Sequence, residues 1–100
     1  MARAVKRSVL ESVVETELVV RVRAAGGICE KVQAIGRRGF FDRLVILPGP
    51  RIIFVEVKRP HGGRLSPHQH WYRAAFGALG VVIAVVQNSE DITRLLAPEK

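Results

Sequence analysis

A chain of 100 residues, 48% of them hydrophobic, suits a single domain with a modest apolar core. Its 16 lysines and arginines against 9 acidic residues give a net charge of +7, which favours nucleic acid as a partner first and an anionic membrane surface second. The single cysteine excludes an internal disulfide, and without a long apolar run or a signal-peptide core we expect a cytoplasmic protein that does not enter membranes.

The first predicted element is a helix. Ser8 is a candidate N-cap with Glu11 as its capping-box partner, and residues 1–7 are predicted to be a loose basic end. Apolar residues recur at helical spacing up to a glycine pair that ends the segment: Val14, Leu18, Val22 and Ala25. Glu11 and Glu15 flank this apolar stripe one turn apart, and two solvated surface charges are the plain alternative to a chemical role for either.

The second predicted element is a strand over residues 28–35, in which Cys29 and Lys31 share one face. The apolar setting of Cys29 predicts a buried, inert thiol. A glycine-bounded basic loop follows, and its Arg37 and Arg38 suit contacts with phosphate groups, although an ordinary solvated loop explains them equally well.

A β-hairpin is predicted around Pro48-Gly49-Pro50, because the runs on both sides of this turn cluster are rich in β-branched and aromatic residues. If these three residues are the loop, Leu47 lies opposite Arg51. The same register then places Asp42 opposite Glu56, at the end of the hairpin remote from the turn.

This register would bring two carboxylates together with Lys58, which points to the same face as Glu56. Close carboxylates repel each other unless a cation lies between them, and Mg²⁺ is commonly held by one or two carboxylates, water and substrate phosphate. A lysine beside such an ion can orient the attacking water and offset negative charge. Asp42, Glu56 and Lys58 therefore indicate a metal-dependent phosphodiesterase centre.

A second helix is predicted to begin at Ser66, with Pro67 in its first turn and Gln69 as the capping-box partner. Its predicted apolar, inward-facing stripe consists of Trp71, Ala74, Ala75, Ala78 and Leu79. Stacking on a base is the alternative role for Trp71. His68 and His70 diverge on a helix, so we expect surface or core-edge histidines rather than a zinc site.

The last predicted elements are a strand over residues 81–86 and a short helix over residues 90–96. Six consecutive apolar residues indicate a strand covered on both faces, as in the middle of a mixed sheet. The predicted order is therefore α-β-β-β-α-β-α, an α/β fold with a mixed sheet flanked by helices.

The stretch GRRGFFDRLVILPGPRIIFVEVKRPHGGRLSPHQ resembles the core of the VRR-NUC (virus-type replication-repair nuclease) family, a branch of the PD-(D/E)XK nucleases. A bare D…ExK triplet occurs by chance in many basic proteins, whereas the ordered set GRRG, DR, FVEVKRP and LSPxQ is specific. The resemblance covers nearly the whole chain, from about residue 10 to about residue 95. The family usually has proline before the metal-binding aspartate. Here Phe41 occupies that position, a change that we expect to affect entry into the strand more than the chemistry.

The resemblance implies that Mg²⁺ or Mn²⁺ is bound by Asp42, Glu56 and the backbone carbonyl of Val57, with Lys58 acting on the attacking water. It also implies that Glu15 assists the metal or water and that Gln69 faces the active groove, a role that competes with helix capping for one side chain. Arg43, on the opposite face, is expected to be structural or peripheral. The implied nucleic-acid contacts are Lys31, Arg37, Arg38, Arg59 and Arg64.

The leading hypothesis is a metal-dependent DNA endonuclease that leaves 5′-phosphate ends. Stand-alone members of the family are small homodimers implicated in cutting branched DNA such as four-way (Holliday) junctions, often in phage or prophage settings, so the resemblance implies a homodimer that acts on branched DNA. A non-catalytic basic DNA-binding module is the alternative, and a basic RNA-associated protein is a third reading. Cleavage that requires a divalent metal separates the first hypothesis from the other two.

Overall fold

The fold is known from a computed structural model that describes residues 2–33, 36 and 41–98, with side chains described from residue 11 onward. The elements follow the order α1 (Ala2–Ala24), β1 (Ile28–Lys31), β2 (Arg43–Leu47), β3 (Arg51–Val57), α2 (Pro67–Ala78), β4 (Ile83–Val86) and α3 (Ser89–Leu96). This order confirms the predicted α/β fold. None of the described helices is both long and apolar enough to cross a membrane.

The strands form one mixed sheet in the order β1-β2-β3-β4, with β4 parallel to β3 and the other pairs antiparallel. The hairpin has the predicted register, because Leu47 pairs with Arg51 and Arg43 pairs with Val55. The predicted central position of the last strand is wrong. Since β2 already occupies one side of β3, the crossover through α2 returns β4 to the remaining side, where it forms an edge of the sheet.

One face of the sheet packs against α1 and α3 to form the core. Val45 of β2 and Val55 of β3 meet Leu18 of α1 and Ile92 of α3 there, and all four side chains are fully buried. β-Branched residues on the sheet and apolar residues at helical spacing on α1 produce this interface. Cys29 is buried in the same cluster, as predicted, and burial raises the pKa of its thiol.

The other face of the sheet carries α2, which is anchored by three phenylalanines. Phe41, just before β2, packs on Phe54 of β3 with ring centroids 4.4 Å apart. Phe76 of α2 lies 5.7 Å from Phe41 and 5.6 Å from Phe54, in edge-to-face contacts. Aromatic pairs in these arrangements contribute beyond simple burial, so the cluster fixes α2 against the strands that carry the acidic residues.

A tight turn joins α1 to β1 and requires glycine. Gly26 has a φ of +86°, a conformation that ends helices and favours glycine over other residues. At Gly27, a Cβ atom would lie 2.5 Å from the carbonyl oxygen of Ile46, which leaves no room for a side chain. The turn therefore lets the chain enter the sheet directly beside β2.

Two boundaries near the N-terminus differ from the sequence prediction. α1 begins at Ala2, so the predicted N-cap at Ser8 is wrong, and the predicted loose end is helical over residues 2–7, the part of it that the structure describes. Alanine, arginine and lysine in this segment are strong helix formers, and they extend the helix past the serine. β1 ends at Lys31, earlier than predicted.

The predicted apolar stripe of α2 faces outward. Trp71 and Leu79 are 64% and 82% exposed, and no residue of α2 is fully buried. The stripe was inferred mainly from alanines, whereas the orientation of the helix is set by the larger Phe76 and Tyr72, which contact each other and face the sheet. The prediction that Trp71 is a core residue is therefore wrong.

Candidate active site

Asp42 and Glu56 meet at the end of the hairpin remote from its turn. The backbone N–H of Asp42 donates to the carbonyl oxygen of Val55 at 3.0 Å, and the N–H of Val57 donates to Oδ2 of Asp42 at 2.8 Å. Because Glu56 lies between these two partners in the sequence, the bonds hold the Asp42 carboxylate beside it. The structure therefore brings together the pair that the hairpin register predicted.

Glu56 is a buried acid with two cationic or polar neighbours. Glu56 is 3% exposed, and Nζ of Lys58 lies 3.4 Å from Oε2 of Glu56. The same oxygen accepts a hydrogen bond from Nε2 of Gln69. Alternation along the strand places Lys58 on the face of Glu56, and the capped start of α2 brings Gln69 to that face.

The electrostatics of the pair indicate a shortage of positive charge. Burial raises the pKa of Glu56 to about 7, and the negative charge of Asp42 adds to this rise while Lys58 opposes it. Burial also raises the pKa of Asp42, against the lowering effects of the Val57 N–H and Lys58. Two acids that both bind protons more tightly than usual form a site that a divalent cation would stabilise.

The side chain of Gln69 makes both the capping-box contact with Ser66 and a contact with Glu56. Its Oε1 accepts from the backbone N–H of Ser66 at 2.8 Å. The backbone N–H of Gln69 donates to Oγ of Ser66 at 3.2 Å, which completes the predicted capping box. Its Nε2 donates to Glu56. The two ends of the amide contact different partners, so capping the helix and contacting Glu56 do not exclude each other, contrary to the expected competition for this side chain.

Glu15 reaches the edge of the site from α1, where Arg43 holds it. Nε and Nη2 of Arg43 lie 3.0 and 2.9 Å from Oε2 of Glu15. The charge of Glu15 contributes to the raised pKa of Asp42, and the charge of Glu11 makes a smaller contribution at Glu56. Sequence reasoning missed the role of Arg43, since strand alternation shows only that it faces away from Asp42 and not which helix it meets.

The acidic side chains alone supply only part of the oxygen ligands that a hard divalent ion needs. Within the described residues, no three side chains among histidine, cysteine, aspartate and glutamate form a ready metal cluster, so Glu15 does not join Asp42 and Glu56 in one. Two carboxylates nevertheless match the usual protein contribution to a Mg²⁺ site, in which water and substrate phosphate supply further oxygens. The donor set and the raised pKa values of both acids thus fit Mg²⁺ or Mn²⁺.

The predicted nucleic-acid contacts have different surroundings. Lys31 and Arg64 are exposed, and the charge of Lys31 is one of the influences that lower the pKa of Asp42, which places it near the acids. The guanidinium of Arg59 donates to the carbonyl oxygens of His61 and Gly62 and so closes its own loop. Arg37 and Arg38 lie outside the described residues.

Known proteins include two that are similar to this chain over most of its length. The chain is 43% identical over 90 residues to "Putative nuclease p44" of Acyrthosiphon pisum secondary endosymbiont phage 1, which covers 90% of this chain and 95% of that protein. A solved structure described as a VRR_NUC domain is 35% identical and superposes with a TM-score of 0.79 over 86% of this chain and 92% of that one. No model of a protein family matches the sequence. Both similarities extend over almost the whole of each chain, so they concern the complete fold and not a single motif.

Proposed function

Because the chain belongs to the VRR-NUC family of nucleases, we propose that it is a Mg²⁺- or Mn²⁺-dependent DNA endonuclease that hydrolyses phosphodiester bonds. The observation that carries this proposal is the convergence of Asp42, Glu56 and Lys58 at one end of the hairpin. A structural role alone would not explain why a buried glutamate is kept beside a second acid at a cost in stability.

In the proposed site, Asp42, Glu56 and the carbonyl oxygen of Val57 bind the divalent ion. The ion, when bound, lowers the pKa of water and offsets the negative charge that develops on the phosphate. The backbone N–H of Val57 fixes the orientation of Asp42 through Oδ2. Without a bound cation, the negative charge of the two carboxylates repels other anions from this position.

The remaining residues act on water and substrate in this proposal. Lys58 positions the attacking water and stabilises charge on the phosphate oxygens. Gln69 orients Glu56 through its Nε2, and Glu15 assists the metal or the water from α1. Attack of the water oxygen on phosphorus breaks the bond to the 3′ oxygen, which leaves a 3′-hydroxyl and a 5′-phosphate.

We also propose that the substrate is branched DNA such as a four-way junction, and that a homodimer cleaves it inside the cell or the infected host. The resemblance to small junction-cutting members of the family supports this substrate. The net charge of +7 supports a polyanionic partner, and exposed Lys31 and Arg64 suit phosphate contacts. A 100-residue domain offers little surface for a branched duplex, and two copies would supply two centres.

The test is cleavage of labelled linear, flap and four-way DNA at one salt concentration, with Mg²⁺, Mn²⁺ or EDTA. We expect scission with either metal and none with EDTA, with the fastest cleavage on the four-way substrate. Asp42→Asn and Glu56→Gln should abolish scission, while Glu30→Gln, which removes an exposed acid from β1, should not. Binding without metal-dependent scission would instead support the non-catalytic DNA-binding module.

A further inference from the structure

The side chain of Gln87 lies against the loop that joins β3 to α2. This loop covers residues 58–66 and begins with Lys58 of the proposed site. Nε2 of Gln87 donates to the carbonyl oxygen of Arg59 at 3.4 Å and to that of Gly63 at 3.3 Å. An amide nitrogen carries two hydrogens, so one group can bond both carbonyl oxygens at once. Gln87 therefore bridges two sides of the loop from outside it.

The two bridged carbonyl groups lie close together because the loop folds back on its own start. A Cβ atom at Gly63 would lie 2.6 Å from the carbonyl oxygen of Arg59 and 3.0 Å from Cβ of Lys58. The backbone of Gly63 is thus packed against the stem of the lysine and leaves no room for a side chain. The guanidinium of Arg59 donates to the carbonyl oxygens of His61 and Gly62, which holds the tip of the loop without joining it to the rest of the protein.

Lys58 is held on one side by the sheet and on the other by Gln87. Its backbone N–H donates to the carbonyl oxygen of Val86 at 2.9 Å, which continues the pairing of β3 with β4. The carbonyl group of Arg59, one residue later, is the one that Gln87 contacts. The backbone is therefore fixed on both sides of the lysine, which limits where its ammonium can lie relative to Glu56.

Gln87 is itself anchored to the core through α3. Its backbone N–H donates to Oδ2 of Asp91 at 2.9 Å. The N–H of Asp91 donates to Oδ1 of Asn88, the N-cap of α3, at 2.8 Å. The next residue, Ile92, is fully buried in the core. The amide of Gln87 is therefore presented to the loop from a turn that is fixed to the core.

The start of α2 has its own support. Its capping box and the packing of Phe76 on the sheet hold Gln69 where its amide reaches Glu56. This contact does not need the loop. Loss of the Gln87 amide would therefore act mainly on Lys58.

We propose that Gln87 is a positioning residue for the proposed hydrolysis, which acts through the loop on Lys58 and touches neither DNA nor metal. This inference rests on the proposed function, since it concerns the lysine that places the attacking water. Lysine is a strongly hydrated cation on a flexible stem, so its place near a reacting group has to be imposed by what holds its backbone and stem. Gln87 is uncharged and adds nothing to the electrostatic attraction of DNA.

Cleavage kinetics of Gln87→Met test this role. Methionine has nearly the length of glutamine and no donor, so the loop loses both bonds while the packed volume changes little. We expect kcat to fall by about tenfold or more and KM for DNA to change by less than about threefold, because a displaced lysine affects the reacting water and not the binding of DNA.

Thr93→Val is the matched control, since it also removes a polar group and keeps the shape of the side chain. The hydroxyl of Thr93 bonds Arg21 and the carbonyl oxygen of Ser89 instead of the loop. Both kcat and KM of this variant should stay within about twofold of the wild-type values.

A second substitution separates positioning from a general loss of structure. In Lys58→Ala the group on which Gln87 acts is gone, so adding Gln87→Met should lower kcat by less than about twofold more. A substitution that merely unfolds part of the chain would remove a further factor of about ten in this background as well.

The order of the loop is measured without DNA or metal. In the wild-type chain, the backbone amides of Gly62 and Gly63 should have NMR order parameters near about 0.85, the value of rigid backbone. In Gln87→Met they should fall below about 0.6, whereas the amide of Ile92 in α3 should stay rigid in both proteins.

An unchanged kcat in Gln87→Met, a full additional loss in the double substitution, or loop amides that stay rigid without the glutamine would each overturn the proposal. A wild-type chain that cleaves no DNA would contradict the proposed function. The loop measurement would then still decide whether Gln87 holds the loop, because it requires no cleavage.

Discussion

Gln69 donates a hydrogen bond from Nε2 to Oε2 of Glu56, which joins the first turn of α2 to the acidic end of β3. Substitution of Gln69 by alanine should therefore weaken two things at once, the helix cap and the orientation of Glu56. We expect a stability loss of about 1 to 2 kcal/mol and a weaker apparent affinity for Mn²⁺. Ser66→Ala is the control, since it removes the capping hydroxyl and leaves the bond to Glu56. The measurement is a Mn²⁺ titration of each variant, with the temperature of the thermal unfolding transition as the readout. Equal apparent Mn²⁺ affinities of the two variants would contradict a role for Gln69 at the site.

Glu56 should make the metal-free protein less stable as the pH rises. Its pKa is raised from 4.5 in the unfolded chain to about 7 in the folded protein, so the folded state holds the proton more tightly between these values. The stabilising effect is complete below pH 4.5 and is lost as the pH rises through about 7, a change of roughly 3 kcal/mol. The raised pKa of Asp42 acts in the same direction.

Denaturant titrations of the wild-type chain and Glu56→Gln in EDTA from pH 4 to pH 8 measure this effect. The difference between the two proteins reports on the glutamate together with its coupling to Asp42, since the other titrating groups are common to both. Glu56→Gln should become the more stable protein at high pH. A difference that does not change with pH would show that Glu56 ionises normally.

Divalent ions should stabilise the chain, because they supply the positive charge that the two acids need. At a Mg²⁺ concentration about 100 times the dissociation constant, the gain is about 2.7 kcal/mol, which corresponds to several degrees in the thermal transition. EDTA should reverse the gain, and a lower pH should reduce it because protons compete for both acids. Asp42→Asn should show no gain, whereas Glu30→Gln should keep it. An equal gain in Asp42→Asn would assign the binding to other residues.

Arg43 should act through Glu15. Arg43→Ala and Glu15→Gln should each lower cleavage activity, and the double substitution should be little worse than either, because each single change already breaks the ion pair. A double-mutant cycle on unfolding should give a coupling of about 1 kcal/mol for this partly buried pair. Arg43→Lys should restore less than full activity, since an ammonium cannot reproduce the two-nitrogen contact. Additive effects of the two substitutions on activity would separate Arg43 from Glu15.

Phe41 should contribute more to stability than the proline that usually occupies its position in the family. Its ring is 6% exposed and contacts Phe54 and Phe76, so Phe41→Ala should cost about 3 to 5 kcal/mol and Phe41→Pro a similar amount. Val13→Ala, at a position of α1 with 54% exposure, should change stability by less than about 0.5 kcal/mol. Denaturant unfolding of the three variants measures the difference. A stable Phe41→Pro variant would show that the aromatic cluster is dispensable.

Sequence patterns determined the local features of this fold well. The hairpin register followed from Pro48-Gly49-Pro50, because a tight turn fixes which residues face each other, and this brought Asp42 to Glu56. The capping box at Ser66 and Gln69 followed from residue spacing. In each case, the interacting residues are either close together in the sequence, as in the capping box, or are paired by a single hairpin turn, as Asp42 and Glu56 are.

The features that the sequence did not predict depend on contacts between distant elements. The orientation of α2 is set by Phe76 against Phe41 and Phe54, and periodicity alone could not weigh these rings against a stripe of alanines. The ion pair of Arg43 with Glu15 spans α1 and β2. The edge position of β4 depends on which side of β3 was free. A pattern read along one chain segment contains none of this information.

The exposed bend at residues 48–50 determines the composition of a centre about 17 Å away, since pairing in the hairpin is counted outward from it. If one residue were inserted there and the loop kept three residues, the pairing would shift by one and present Val55 or Val57 to Asp42 in place of Glu56. A change in the length of this bend that shifts the pairing would consequently behave as an active-site mutation, although it changes no functional group.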